Sequence, residues 1–162
     1  MGRARAGLGS LVFFVVAPCA VAGLVPWLLT RWETASPPWP IAVRVAGAAL
    51  LLGGAAVLAD AFVRFVREGL GTPAPVAPTS HLVVGGLYRY VRNPMYLAVA
   101  ATIVGQSLLL GRPVLLLYAA AVAAACVAFV RWYEEPALAR RFGEEYEAYR
   151  RDVPGWLPRR PS

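Results

Sequence analysis

Long apolar runs alternate with short polar segments along this chain. Ser10 to Leu29, Ile41 to about Val66, about Pro94 to Leu110 and Pro113 to about Tyr133 are the four runs. Each meets or approaches the roughly 20 residues a helix needs to cross a bilayer. The third is the shortest; at about 1.5 Å per residue it falls slightly below a ~30 Å hydrocarbon core. Pro18 and Pro26 interrupt the first run, and a membrane helix tolerates them as kinks. Gly111-Arg112-Pro113 joins the last two runs as a tight turn, with Pro113 suited to the first helical position, so they form an antiparallel hairpin. From Glu134 to Asp152 the period changes: Leu138, Phe142, Tyr146 and Tyr149 share one stripe. Arg140/Glu144, Arg141/Glu145 and Glu147/Arg151 are four apart and are expected to pair on the wet face. That segment reads as an amphipathic helix on the inner membrane surface or against the bundle. Glu68 to Ser80, rich in Gly, Pro, Ala and Thr, reads as a linker. The prediction is an all-α integral membrane protein with four transmembrane helices and a C-terminal cytoplasmic amphipathic helix. Residues 1–162 form one domain.

Composition agrees and narrows the classes. Of 162 residues, 59% are apolar and 15% charged, against about 45–50% and about 25% in a soluble domain. A soluble globular fold and a disordered chain are both disfavoured. The net charge is +7, and every basic residue is arginine. A basic excess can mark nucleic-acid binding, but arginine placement explains it better. Thirteen of the sixteen arginines precede the first run, lie between the second and third, or follow the fourth; only Arg31, Arg44 and Arg112 fall on the other side. Positive loops stay inside, so both termini are expected in the cytoplasm. Arg3, Arg5 and Ala20-Val21-Ala22 imitate a signal peptide. The apolar run continues to Leu29, beyond that cleavage site, which favours a first span. Cys19 and Cys126 are too few and too far apart for a disulfide framework or zinc site, and no metal site is expected. No internal repeat supports a repeat-built transporter. There is also no P-loop, no Gly-rich nucleotide turn and no nucleophile elbow.

Chemistry concentrates in residues 81–96, HLVVGGLYRYVRNPMY, which hold the only histidine, three tyrosines and two arginines just before a membrane helix. Plain structural roles exist for each part. Asn93-Pro94 makes a helix start, Gly85-Gly86 a turn, the tyrosines an interface belt and the arginines topology determinants. A functional reading also has a physical basis. The positive end of a helix starting at Asn93 holds an anionic group, arginines pin a carboxylate by two bonds, and tyrosines face a cation or stack on a purine. A second constellation is Glu134-Glu135-Pro136 at the foot of the fourth run. Two carboxylates there cost desolvation unless they find partners. Adjacent helical positions diverge by about 100°, so the two are not expected to face one ligand equally. Asp60, one turn from Arg64, is expected to pair with it, and Gln106-Ser107 to bond between helices.

The ordered set His81-Leu82-Val83, Gly86-x-Tyr88, Arg92-Asn93-Pro94-Met95-Tyr96, an apolar hairpin, Glu134-Glu135-Pro136, then Phe142-Gly143-Glu144-Glu145-Tyr146-x-x-Tyr149 and Val153-Pro154 resembles the isoprenylcysteine carboxyl methyltransferase family. That family groups with the integral-membrane phospholipid methyltransferases. The resemblance covers roughly residues 80–158. It implies methyl transfer from S-adenosyl-L-methionine to a lipid or prenylated acceptor at the cytoplasmic face. The acceptor would arrive from the bilayer between helices. Carried over by position, the cofactor contacts would be His81, Leu82, Val83, Val84, Tyr88, Asn93, Pro94, Met95, Tyr96 and Glu134. The family's cofactor pocket is closed by the segment after the last span. Two positions depart: Asn93 stands where prenylcysteine enzymes carry His, and Val130 where they carry an arginine for the substrate carboxylate. Arg131 is its neighbour, rotated by about 100°. Arg92 and Arg131 are the candidates for acceptor or cofactor carboxylate binding. Glu135 is the candidate base if the acceptor is an amine, as in phospholipid N-methylation.

Overall fold

The computed structural model describes residues 16–36, 38–68 and 81–160. Arg3, Arg5, the first residues of the expected first span (10–15) and the linker from 69 to 80 lie outside the described residues. All regular structure among the described residues is helical. Helix α1 is Val16–Thr30, α2 is Ile41–Glu68, α3 is Pro94–Leu110 and α4 is Val114–Phe129. Two short helices follow, α5 (Glu135–Phe142) and α6 (Glu144–Asp152). A 3-10 turn, Gly86–Arg89, precedes α3.

Two segments, Ile41–Arg64 and the continuous helical stretch Val114–Phe142, are long and apolar enough to cross a membrane. Only 11% and 17% of their most apolar windows are buried in the protein. Core helices of a soluble protein would be mostly covered. Here Leu52 and Leu117 are 70% and 74% exposed, which suits a hydrocarbon surrounding. Val16–Thr30 and Pro94–Leu110 are shorter apolar helices.

Small residues set the packing of α2 on α3. A Cβ on Gly47 would sit 2.8 Å from the Gly105 carbonyl oxygen, and one on Gly105 would sit 2.5 Å from the Leu51 nitrogen. Gly54 meets Thr102 and Ala98 in the same way. The two backbones therefore approach as closely as small-residue membrane interfaces allow. Gly111 ends α3 in the left-handed conformation (φ 68°), where only glycine avoids a Cβ penalty. Its turn is tied by Ser107, whose hydroxyl donates to the Arg112 carbonyl at 2.8 Å. Ser107 thus closes the hairpin rather than joining two helices.

Pro26 shapes α1. It has no N–H, and the helix just before it, Ala20–Leu24, widens into a π-turn. The carbonyls of Val21 and Ala22 lose their local donor. Tyr118 of α4 donates its hydroxyl to Val21 at 2.8 Å, and Gln106 of α3 donates its amide to Ala22 at 2.6 Å. Trp32 Nε1 in turn donates to the Gln106 carbonyl oxygen at 3.1 Å. The bond between helices expected of Gln106 is present. It binds α1 to α3.

The C-terminal helix departs from the sequence reading. The chain does not break near Tyr133. It continues through a π-turn, Val130–Glu134, into α5. The break comes at Gly143, with φ 52° and ψ −125°. That break removes the i, i+4 register across it, so the pairs Arg140/Glu144 and Arg141/Glu145 do not form. Arg150 instead reaches Glu147 at 3.9 Å and Glu135 at 3.8 Å, in place of the expected Glu147/Arg151 pair. The apolar stripe does turn inward: Tyr146 is 2% exposed.

Candidate functional site

Three segments meet at the arginine-rich end of the bundle: the loop before α3, the α4–α5 junction and the tail after α6. Arg92 links all three. Its Nη1 donates to Glu135 Oε1 at 2.7 Å and to the Tyr146 hydroxyl at 3.1 Å, and its Nε donates to the Val153 carbonyl at 3.0 Å. Its backbone N–H donates to the Pro154 carbonyl at 2.9 Å. The side chains of Arg92 and Glu135 are each only 14% exposed. A pair so buried loses much hydration, and the further hydrogen bonds offset that cost.

Asn93 sits at the N-cap of α3, but its side chain does not cap the helix. Nδ2 donates to the Gly155 carbonyl at 3.0 Å instead. The expected helix start is present; the expected capping bond is replaced by a bond to the tail. Tyr149 donates its hydroxyl to the Tyr88 carbonyl at 2.7 Å, and the Arg159 N–H donates to the Tyr90 carbonyl at 3.0 Å. The tail is therefore strapped across residues 88–93 from Tyr149 to Arg159.

The adjacent glutamates take different partners. Glu134 accepts from the Tyr96 hydroxyl at 2.9 Å, while Glu135 faces Arg92 and Arg150. The divergence expected of neighbouring helical positions is thus observed, at a π-turn. Such turns recur at functional sites. The Tyr96 ring lies 6.4 Å from that of Trp156.

Val83, Tyr88 and Met95 pack with Ala61 of α2 in one buried cluster. Burial pushes the Tyr88 phenol above its ordinary pKa, with further upward pushes from Glu134, Tyr149 and Asp60. Tyr88 therefore stays protonated at physiological pH. Gly86 has φ 56°, and a Cβ there would collide with the Arg64 guanidinium. Arg64 is held by Asp60 at 2.9 Å, the pair expected from sequence. Helix α2 thereby fixes the turn that carries Tyr88.

Of the candidate cofactor residues, the structure brings Val83, Tyr88 and Met95 together, pairs Tyr96 with Glu134, and buries Asn93 and Pro94 at the head of α3. Leu82 is half-buried, while the side chains of His81 and Val84 are exposed. Tyr88 and Tyr96 do not form an interface belt; of the three tyrosines in residues 81–96 only Tyr90 is exposed, at 40%. Arg92, Arg131 and Glu135 line one cleft of about 200 Å³ with Arg150, Val127, Val130, Gly155 and Trp156. A wider depression of about 360 Å³ adjoins it past Trp132, Pro136 and Ala139.

Sequence reasoning did not single out Arg150, Tyr146 or Trp156 for this cleft and its network. Tyr146 was readable as part of the buried stripe. Arg150 and Trp156 carried no local signal, because the bend at Gly143 brings them back to residues far away in sequence.

No curated protein and no solved structure matches the chain. Residues 42–145 match the family model described as phospholipid methyltransferase. The matched range holds α2, the 81–96 segment, the α3–α4 hairpin and both glutamates, so the chain belongs to the phospholipid methyltransferase family.

Proposed function

We propose that the protein transfers a methyl group from S-adenosyl-L-methionine to a lipid-like acceptor at the cytoplasmic membrane face. Four spans with both termini in the cytoplasm put the cleft, the tail and most arginines on that face. The observation that carries the reading is the convergence of Tyr96–Glu134, Arg92–Glu135 and the tail at one end of the bundle.

The donor set fits the cofactor. A carboxylate at Glu134 suits a ribose diol, the Tyr88, Tyr96 and Trp156 rings suit a purine or a sulfonium, and the arginines suit a carboxylate. Leu82, Val83 and Met95 supply apolar walls, and the backbone at His81 and Val84 borders them. When bound, the cofactor would supply a sulfonium methyl, whose carbon an acceptor nucleophile would attack in line as S-adenosylhomocysteine leaves with the electron pair of the broken S–C bond. The residues align the acceptor, and the strapped tail keeps water out.

The family match favours a phospholipid amine as acceptor. Val130 in place of an arginine weighs in the same direction, against a prenylcysteine carboxylate. An ammonium must first lose a proton. Glu135 is held in ion pairs by Arg92 and Arg150. Glu134 is committed to the ribose, which leaves Glu135 as the candidate to take that proton. Glu135 also organises Arg92 and Arg150. Arg131, with no ion pair among the described residues, is left to hold the acceptor's anionic group.

Calorimetry with S-adenosylhomocysteine on detergent-purified protein tests this reading. Saturable binding is expected in the wild type and lost in Glu134→Ala. Labelled methyl should then pass to an aminophospholipid rather than to a prenylcysteine. A folded wild-type protein that binds no S-adenosylhomocysteine would mark a non-enzymatic membrane scaffold or transport subunit.

A further inference from the structure

An apolar cleft of about 320 Å³ runs between α2 and α3, and neither Glu134 nor Glu135 lines it. Ala49, Gly53 and Val57 form one wall and Pro94, Leu97 and Ala101 the other. It lies along the same α2–α3 seam as the Tyr88 cluster, and it shares no lining residue with the Arg92–Glu135 cleft. Its volume is at the low end of the ~300–1,000 Å³ typical of small-molecule sites.

One end of the cleft is not apolar in its surroundings. Tyr90 and Pro158 line it there, and the Arg159 N–H bond to the Tyr90 carbonyl fixes the tail at that point. Arg89 and Arg159 are the chain neighbours of these two lining residues, Arg160 follows, and all three are exposed. Arg159 keeps one long contact, to the Asp152 carbonyl at 3.3 Å. Arg89 and Arg160 have no ion pair among the described residues. An apolar trough between two apolar helices, with three exposed arginines in the segments that close one end, matches an amphiphile with a hydrocarbon tail and an anionic head.

We propose that this cleft binds an anionic phospholipid, with an acyl chain between α2 and α3 and its phosphate at Arg89, Arg159 and Arg160. The site is separate from the glutamate cleft and does not rest on methyl transfer. The lipid is a bound component of the bundle, not the methyl acceptor.

Native mass spectrometry of the full chain in mild detergent tests it. The probes are phosphatidylglycerol and phosphatidylcholine with identical acyl chains. The wild type should retain phosphatidylglycerol preferentially. Arg89→Gln with Arg159→Gln should lower that preference roughly tenfold or more, given the usual contribution of each arginine near a lipid surface. A Cβ on Gly53 meets no atom within 4 Å, so Gly53→Leu should fill the trough without disturbing the seam and weaken retention of both lipids. Ala49→Leu provides a second filling variant if the first folds poorly. Equal retention of the two lipids by the wild type, or undiminished retention by a folded filled variant, overturns the proposal.

Discussion

Arg92 shows how much one side chain carries here. It holds Glu135, Tyr146 and the Val153 carbonyl at once, so the loop, the α4–α5 junction and the tail share one fastening. Its partner carboxylate is 14% exposed. Removing the guanidinium leaves that charge nearly buried with only the longer Arg150 contact at 3.8 Å, so the cost should fall at or below the low end of the about 3–5 kcal/mol seen when buried pairs are broken. Arg92→Leu should therefore lower thermal stability in detergent by that order, and Arg92→Leu with Glu135→Leu should recover part of the loss. If the double variant is less stable than the single, the ion pair is not what Arg92 contributes. Lysine cannot replace the planar fork that reaches three acceptors.

At the scale of elements, the first helix depends on its neighbours. Pro26 strips two carbonyls of their donor, and α3 and α4 each return one from a side chain. Interhelical hydrogen bonds in membranes are worth about 0.6 kcal/mol on average and up to about 1.7. Gln106→Leu should cost about 1 kcal/mol by thermal unfolding. In a Pro26→Ala background the cost should shrink, because the helix then has its own donor. Equal costs in the two backgrounds would show that the proline and the glutamine are not coupled.

At the scale of the whole molecule, charge and apolar surface divide the chain. Thirteen of sixteen arginines lie on one side of the proposed four-span arrangement, and that bias sets orientation. Cytoplasm-sensitive reporters fused separately to the two termini should both be active. One active and one inactive fusion would mean an odd number of spans, and the cleft and the amino terminus would then lie on opposite faces. Moving positive charge into the segment between α1 and α2, where only Arg31 stands now, should shift some molecules to the inverted state.

The all-helical class and the long apolar segments were legible in the sequence because they depend on local quantities: run length, hydropathy, and glycine or proline at turns. Pro94–Leu110 and the Gly111 turn needed nothing more. The segment 81–96 and the pair Glu134-Glu135 were readable as chemistry because polar groups beside apolar spans cost free energy without a purpose. The partners of those groups were not readable. Arg92 meets Glu135 across 43 positions and Val153 across 61. Those meetings depend on a π-turn at Val130–Glu134 and a bend at Gly143 that no periodicity announces. Periodicity reports which face of a helix is apolar, and it is silent on how far a backbone irregularity rotates the residues beyond it. Composition and pattern therefore determined the element types and the membrane. Only the tertiary structure decided that Glu134 goes to Tyr96, Glu135 to two arginines and Asn93 to the tail, since those choices rest on the rotation of one helix relative to another.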